Sequence, residues 1–141
     1  MSEKFKIGID YGGTKIEGIL MDQSGKEVLR KRSTYDKNYQ SGLDTVKSLV
    51  EEFDLYSGSK NTVGICIPGF SSLETGLVNN ANCVWINDQP FQKDLEKTLN
   101  REVRMMNDAN CFALSEAIDG SGSNYRSVWG IIIGSGFGGS F

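Results

Sequence analysis

Short aliphatic and β-branched runs open the chain. They cover residues 4–10, 14–21 and 26–33, and are separated by Gly12-Gly13 and by a polar turn at residues 22–25. Runs of this length, broken by turn chemistry, predict three sequential strands in an antiparallel meander. The pattern then changes period. Leu43, Val46, Leu49, Val50 and Phe53 recur at helical spacing, so one face of a helix packs on a core. Ser41, with Asp44 three residues on, reads as its N-cap, and residues 36–40 as a loop. Beyond a break at residues 57–60, VGICI at 63–67 is a buried strand leading into Pro68-Gly69. Residues 71–80 form a small hairpin turning at Thr75-Gly76. Residues 91–100 form a helix with Phe91, Leu95 and Leu99 on one face. A strand at 102–106 delivers Asn107-Asp108, a helix follows at 109–118, and a last buried strand runs over 128–133. Strands interleaved with helices in this order predict an α/β domain with a mixed sheet and helices on its faces.

Ligands in such sheets gather outside the carboxyl ends of the strands. Three ligand-type loops follow strand ends here, at Asp10, at Pro68-Gly69 and at Asn107-Asp108. The first is the most informative. Asp10 closes a strand, Gly12 and Gly13 remove side chains from the bend, Thr14 adds a hydroxyl and Lys15 a positive charge. Backbone N–H groups at such a bend suit a diphosphate, and the carboxylate suits its metal. An ordinary glycine-rich hairpin fits the same residues. GSGFGG at 134–139 reads as a second phosphate loop behind a buried strand. Asp108 follows an apolar strand and opens a helix. There it can take the proton of an attacking hydroxyl, or serve as a helix N-cap. Asn79, Asn80, Asn82 and Asn87 surround Trp85. Amides beside an aromatic ring suit a polyhydroxylated ligand, and they also suit turns.

Composition narrows these readings. The 141 residues carry a formal net charge of -3, which argues against a nucleic-acid partner. The short run Arg30-Lys31-Arg32 reads as a solvated sheet edge. No window predicts a membrane span or signal peptide, so a cytoplasmic location is expected. Histidine is absent, which removes Ser-His-Asp and Cys-His mechanisms and leaves proton transfer to carboxylates. Cys66, Cys83 and Cys111 are odd in number and far apart, so neither a disulfide framework nor an internal zinc site is expected.

DYGGTKIE (10–17), GICIPG (64–69), NDAN (107–110) and GSGFGG (134–139) together resemble the ROK family of sugar kinases, in order and approximate spacing. Residues 63–120 look closest to its fructokinase (mannofructokinase) branch. The resemblance implies a ribonuclease-H-like, actin-like ATPase fold and transfer of the ATP γ-phosphoryl group to a hexose hydroxyl, with fructose the favoured sugar. By match to the family motifs, Asp10 would help hold Mg2+, and Gly12, Gly13, Thr14 and Lys15 would line the phosphates. Gly134, Ser135 and Gly136 would form the second phosphate loop; the family usually has Thr where Ser135 stands. Gly69, Asn82 and Asn107 would bind sugar hydroxyls, and Asp108 would be the base.

Family members are longer, and carry a second domain that often holds a structural zinc. The division expected here is therefore an ATPase-like lobe over residues 1–122 and the start of a truncated second lobe over 123–141. Zinc, if any, belongs to the missing part. An isolated lobe is expected to be inactive. The strand at 128–133 would expose a free edge, so a homo-oligomer or self-association through that edge is expected. Two other classes fit the resemblance: a sugar-responsive regulator, or a non-catalytic lobe that binds sugar or ATP.

Overall fold

The computed structural model describes residues 4–118, 120–133 and 137–140. Strands β1 (Lys6–Tyr11), β2 (Lys15–Met21) and β3 (Glu27–Thr34) form the expected meander. Helix α1 (Tyr39–Ser57) crosses to β4 (Thr62–Ile67). The short strands β5 (Phe70–Ser71) and β6 (Val78–Asn79) pair as a hairpin. A single 3-10 turn at Val84–Ile86 leads to α2 (Phe91–Leu99). Then come β7 (Val103–Asn107), α3 (Asp108–Ile118), β8 (Gly130–Ile133) and β9 (Phe137–Ser140). The main sheet has the order β3-β2-β1-β4-β7. β2 is antiparallel to β1 and β3, whereas β4 is parallel to β1 and β7.

Strand alternation sets which side of the sheet is covered. Ile7, Ile9 and Tyr11 of β1, Ile16 and Leu20 of β2, and Val63, Ile65 and Ile67 of β4 are buried. They pack against the apolar face of α1 and against Phe91, Leu95 and Leu99 of α2. Lys6, Gly8 and Asp10 of β1 fall on the other side, in register with Thr62, Gly64 and Cys66 of β4. That side is an open trough with a cavity of about 900 Å³, bordered by Ile19, Met21, Met106 and Leu114. Arg30, Lys31 and Arg32 lie on the edge strand β3. Arg30 and Arg32 pair with Glu17, and Lys31 with Glu52, so the basic run is a solvated edge, as its position implied.

Four expectations need correction. Helix α1 begins before Ser41. Asn38 has extended backbone (φ -144°, ψ 161°), and its side chain accepts from the Ser41 amide at 2.8 Å. Two cap-competent side chains lie within one turn, and the backbone conformation at Asn38 decides between them. Ser41 Oγ instead accepts from the Asp36 amide. Similarly, α3 begins at Asp108, one residue earlier than its apolar pattern suggests. The second half of GSGFGG is no loop: residues 137–139 belong to β9, which pairs antiparallel with β8. Finally, Cys66 and Cys111 are joined in a disulfide, with Cα atoms 6.6 Å apart. Spacing alone hid this pair, because the contact forms only once β4 and α3 are packed side by side.

Candidate active site

Parallel strands β1, β4 and β7 end on the same side of the sheet. Asp10 is paired in register with Cys66, and Ile67 with Asn107. The carboxylate of β1, the Pro68-Gly69 bend after β4 and the Asn107-Asp108 step after β7 therefore share one rim.

Asp10 is exposed at this rim. Loss of surrounding water, then the negative charges of Asp108 and Glu17, hold its carboxyl above the usual range. Glu17 does not share this state: hydrogen bonds from Arg30 and Arg32 hold it below its usual range. A carboxylate that crowds other negative charges is a fit place for a cation. Mg2+ needs only one or two carboxylates when phosphate and water supply its other oxygens. Among the described residues no cluster of three His, Cys, Asp or Glu side chains forms a self-sufficient metal cage.

The Gly12-Gly13 bend is tightly built. The Gly12 amide donates to the Lys15 carbonyl at 3.1 Å, and a Cβ at Gly12 would lie 2.7 Å from that oxygen. Gly12 thus serves the turn, and its amide is committed. The amides of Gly13 and Thr14 have no partner among the described residues, and Gly13, Thr14 and Lys15 are exposed. Tyr35, which sequence reasoning missed, donates its hydroxyl to the Gly12 carbonyl at 2.7 Å. Burial pushes its phenol well above the usual range, so it remains a donor. Its ring packs beside Tyr11 and Trp85. No local signal marks Tyr35, since the contact spans the whole meander.

On the other half of the rim, Gly69 is buried. A Cβ there would lie 2.5 Å from the Asn79 carbonyl. Its own carbonyl accepts from Asn107 Nδ2 at 2.8 Å. Asn107 Oδ1 accepts from the Ala109 amide at 3.0 Å. Asn107 therefore caps α3 and ties the Gly69 bend to it. Asp108, the first residue of α3, is half-buried. The asparagine cluster divides. Asn87 bridges the Ala81 amide and carbonyl, and Asn80 adopts a left-handed φ of 55°; both do turn chemistry. Trp85 Nε1 donates to the Tyr11 hydroxyl at 3.3 Å, so its polar edge faces inward. Asn82 is exposed, and its side chain has no partner among the described residues. Gly134, Ser135 and Gly136 lie outside the described residues.

A mixed sheet flanked by helices, with carboxylates and a glycine bend at one strand-end rim, defines an actin-like lobe of the kind found in sugar kinases. Residues 6–141 match the ROK family, and the chain belongs to it. It is 44% identical over 135 residues to the N-acetyl-D-glucosamine kinase of Pasteurella multocida (strain Pm70), an alignment covering 95% of this chain and 44% of that protein. The chain thus spans about half the length of the curated relatives it matches. A ROK family glucokinase from Streptomyces griseus, solved with glucose and AMPPNP, superposes with a TM-score of 0.83 at 26% identity, covering 96% of this chain and 43% of that one. A ROK family transcriptional regulator, a homologue of the E. coli MLC protein, superposes with a TM-score of 0.77 at 18% identity, covering 97% and 35%. The fold alone therefore hosts both kinases and regulators. The expected fructokinase branch is not supported: the relatives are named for N-acetylglucosamine and glucose. Among the described residues no helix is long and apolar enough to cross a membrane.

Proposed function

We propose that this chain is the N-terminal part of an ATP-dependent hexose kinase that acts on N-acetylglucosamine or glucose. The observation that carries the reading is the shared rim, where Asp108 stands near enough to Asp10 for its charge to raise the Asp10 carboxyl. Phosphoryl transfer needs a base at the sugar hydroxyl and a carboxylate toward the metal-bound phosphates, on one side of a sheet. In this reading Asp108 accepts the hydroxyl proton and Asp10 holds Mg2+, which supplies charge neutralisation on the phosphates. The Gly13 and Thr14 amides and Lys15 face the phosphates, with Gly12 closing the turn, and residues 134–136 serve as a second phosphate loop. Asn82 reaches a sugar hydroxyl. Asn107 and Gly69 shape the sugar side from behind, through the Nδ2 bond between them. Residues 1–122 then form the ATPase-like lobe, and 123–141 begin a second one.

Transfer requires a closed, water-excluding cleft positioned from both sides. The 141-residue chain alone is expected to give no measurable sugar phosphorylation, and robust turnover would refute that. The direct test joins this chain to the remaining part of the Pasteurella multocida N-acetyl-D-glucosamine kinase, to which it is 44% identical. The chimera is expected to phosphorylate N-acetylglucosamine. Asp108→Asn is expected to lower kcat by about 10²–10⁴-fold with little change in KM, as loss of a general base does. An Asp108→Asn chimera that keeps its kcat rules out the assignment.

A further inference from the structure

Cys66 and Cys111 occupy a place that phosphoryl transfer does not use. Cys66 is the next-to-last residue of β4. Its register partner on β1 is Asp10 and on β7 is Met106, so its side chain shares the open face with Asp10. Cys111 is the fourth residue of α3, one turn after Asp108. Both are half-buried, and both border the open trough, so a small solute can reach them. The third cysteine is a built-in contrast. Cys83 is buried, and burial pushes its thiol up to about 11, which keeps it protonated and inert.

We infer that Cys66 and Cys111 form a thiol–disulfide exchange site whose reaction partner is a small-molecule disulfide, and that the bond clamps the first turn of α3, with Asp108, onto the end of β4. The chemistry balances. One cysteine thiolate attacks a sulfur of oxidised glutathione and releases one reduced glutathione. The second thiolate attacks the resulting mixed disulfide at the protein sulfur and releases another. Two protein thiols are oxidised, one glutathione disulfide is reduced, and the two thiol protons pass through solvent to the leaving thiolates. The reverse sequence opens the clamp.

The clamp matters because of what else holds α3. Asn107 runs directly into Asp108 with no intervening loop, and its side chain caps the helix while bonding the Gly69 carbonyl. Ala109 and Ala113 of the helix are themselves buried. The Asn107 bonds tie the start of the helix to the loop after β4, and the helix also packs beside β8, β9, β7 and β4. The disulfide is the covalent link from the helix to the sheet beside Asp10. The inference concerns thiol chemistry and local opening, so it stands whether or not the phosphoryl-transfer reading does.

The test equilibrates the folded chain in glutathione buffers of graded reduced-to-oxidised ratio. Free thiols are trapped with N-ethylmaleimide, and peptides are mapped by mass spectrometry. Hydrogen exchange is followed on the fully oxidised and fully reduced samples. The expected result is a Cys66–Cys111 disulfide that appears and disappears across the ratios under native conditions, with Cys83 alkylated only after denaturation. Amides at 109–111 should exchange at least about tenfold faster in the reduced form, with the β2–β3 hairpin unchanged. In C66S and C111S, the remaining cysteine should trap one glutathione as a mixed disulfide. Thiols that stay free at every ratio overturn the inference, as does a disulfide that resists reduction until the chain unfolds. Equal exchange at 109–111 in both forms overturns the clamp.

Discussion

Gly42→Ala sets two ordinary rules against each other. Gly42 lies in the first turns of α1, where alanine is the better helix former by about 0.5–1 kcal/mol. Propensity alone therefore predicts a more stable protein. The structure predicts the opposite. A Cβ built on Gly42 would lie 2.0 Å from the Tyr11 hydroxyl oxygen and 3.0 Å from Tyr11 Cζ. Tyr11 cannot swing away easily. It is 1% exposed, its ring sits 5.0 Å edge-on to Phe91 and 5.4 Å from Tyr35, and its hydroxyl accepts from Trp85 Nε1. Relief requires a shift of about 1 Å in a filled core, an overpacking cost of about 1–3 kcal/mol. Loss of the Trp85 bond adds about 1 kcal/mol. The net effect is a loss of about 1–3 kcal/mol, read by urea unfolding at constant m-value. A scan should show Tm lower by about 3–9 °C for a domain of this size. Tyr11→Phe on the same background removes the clashing oxygen. It should recover part of the loss, so the two changes couple by about 1 kcal/mol or more in a double-mutant cycle. A Gly42→Ala protein that melts higher than the parent would refute the packing argument, and strict additivity with Tyr11→Phe would show that the hydroxyl is not the obstacle.

Arg101→Leu should cost about 2–4 kcal/mol, because Arg101 donates to Asp54 Oδ2 at 2.5 Å and to the Asn61 carbonyl at 2.8 Å, leaving a largely buried carboxylate without its countercharge. Burial works to raise the Asp54 carboxyl, but the Arg101 and Asn61 bonds outweigh it and hold it below its ordinary 3.8. A depressed folded value means stability that is present above pH 3.8 and lost as pH falls below it. Urea midpoints from pH 6 down to pH 2 should therefore fall less steeply in Arg101→Leu than in the parent, and parallel profiles would contradict the pairing. Asp10→Asn should behave in reverse. Its folded value is raised above 3.8, so ionisation of Asp10 destabilises the fold as pH climbs through that raised value. The variant should melt higher than the parent at neutral pH, lose that advantage below pH 3.8, and give a chimera without kinase activity. A lower Tm at pH 7 would count against the crowded-carboxylate account.

Most of the fold was legible because it follows from periodicity. The meander, the two helices with apolar stripes and the three strand-end loops are local patterns, and the parallel placement of β1, β4 and β7 follows from the helices between them. What escaped was set by distance in sequence. Cys66 and Cys111 are 45 residues apart, and they meet only because α3 lies beside β4. Tyr35 reaches Gly12 across the meander. The start of α1 escaped for a different reason: Asn38 and Ser41 both carry a cap-competent oxygen, and only the extended backbone at Asn38 separates them. Residues 134–139 read as a phosphate loop throughout, yet residues 137–139 pair as a strand, since β8 offers a ladder that composition does not reveal.

The pair Asn107-Asp108 shows why a motif can be found in sequence while its division of labour cannot. Both side chains can cap a helix, and both can face a ligand. A helix needs its first amides satisfied, so one of the two must serve the backbone. Here Asn107 does so. Its oxygen accepts from Ala109, and its nitrogen reaches the Gly69 carbonyl, a bond that a carboxylate at that position could not donate. With the cap supplied from the preceding residue, the Asp108 carboxylate makes, among the described residues, only a local hydrogen bond, from the Ala109 amide. The order amide-then-acid therefore anchors two loops with a neutral donor–acceptor and leaves the acid at the rim, facing the charge of Asp10. Reversing it would put the carboxylate against the Gly69 carbonyl oxygen and the neutral amide at the position proposed above for the base.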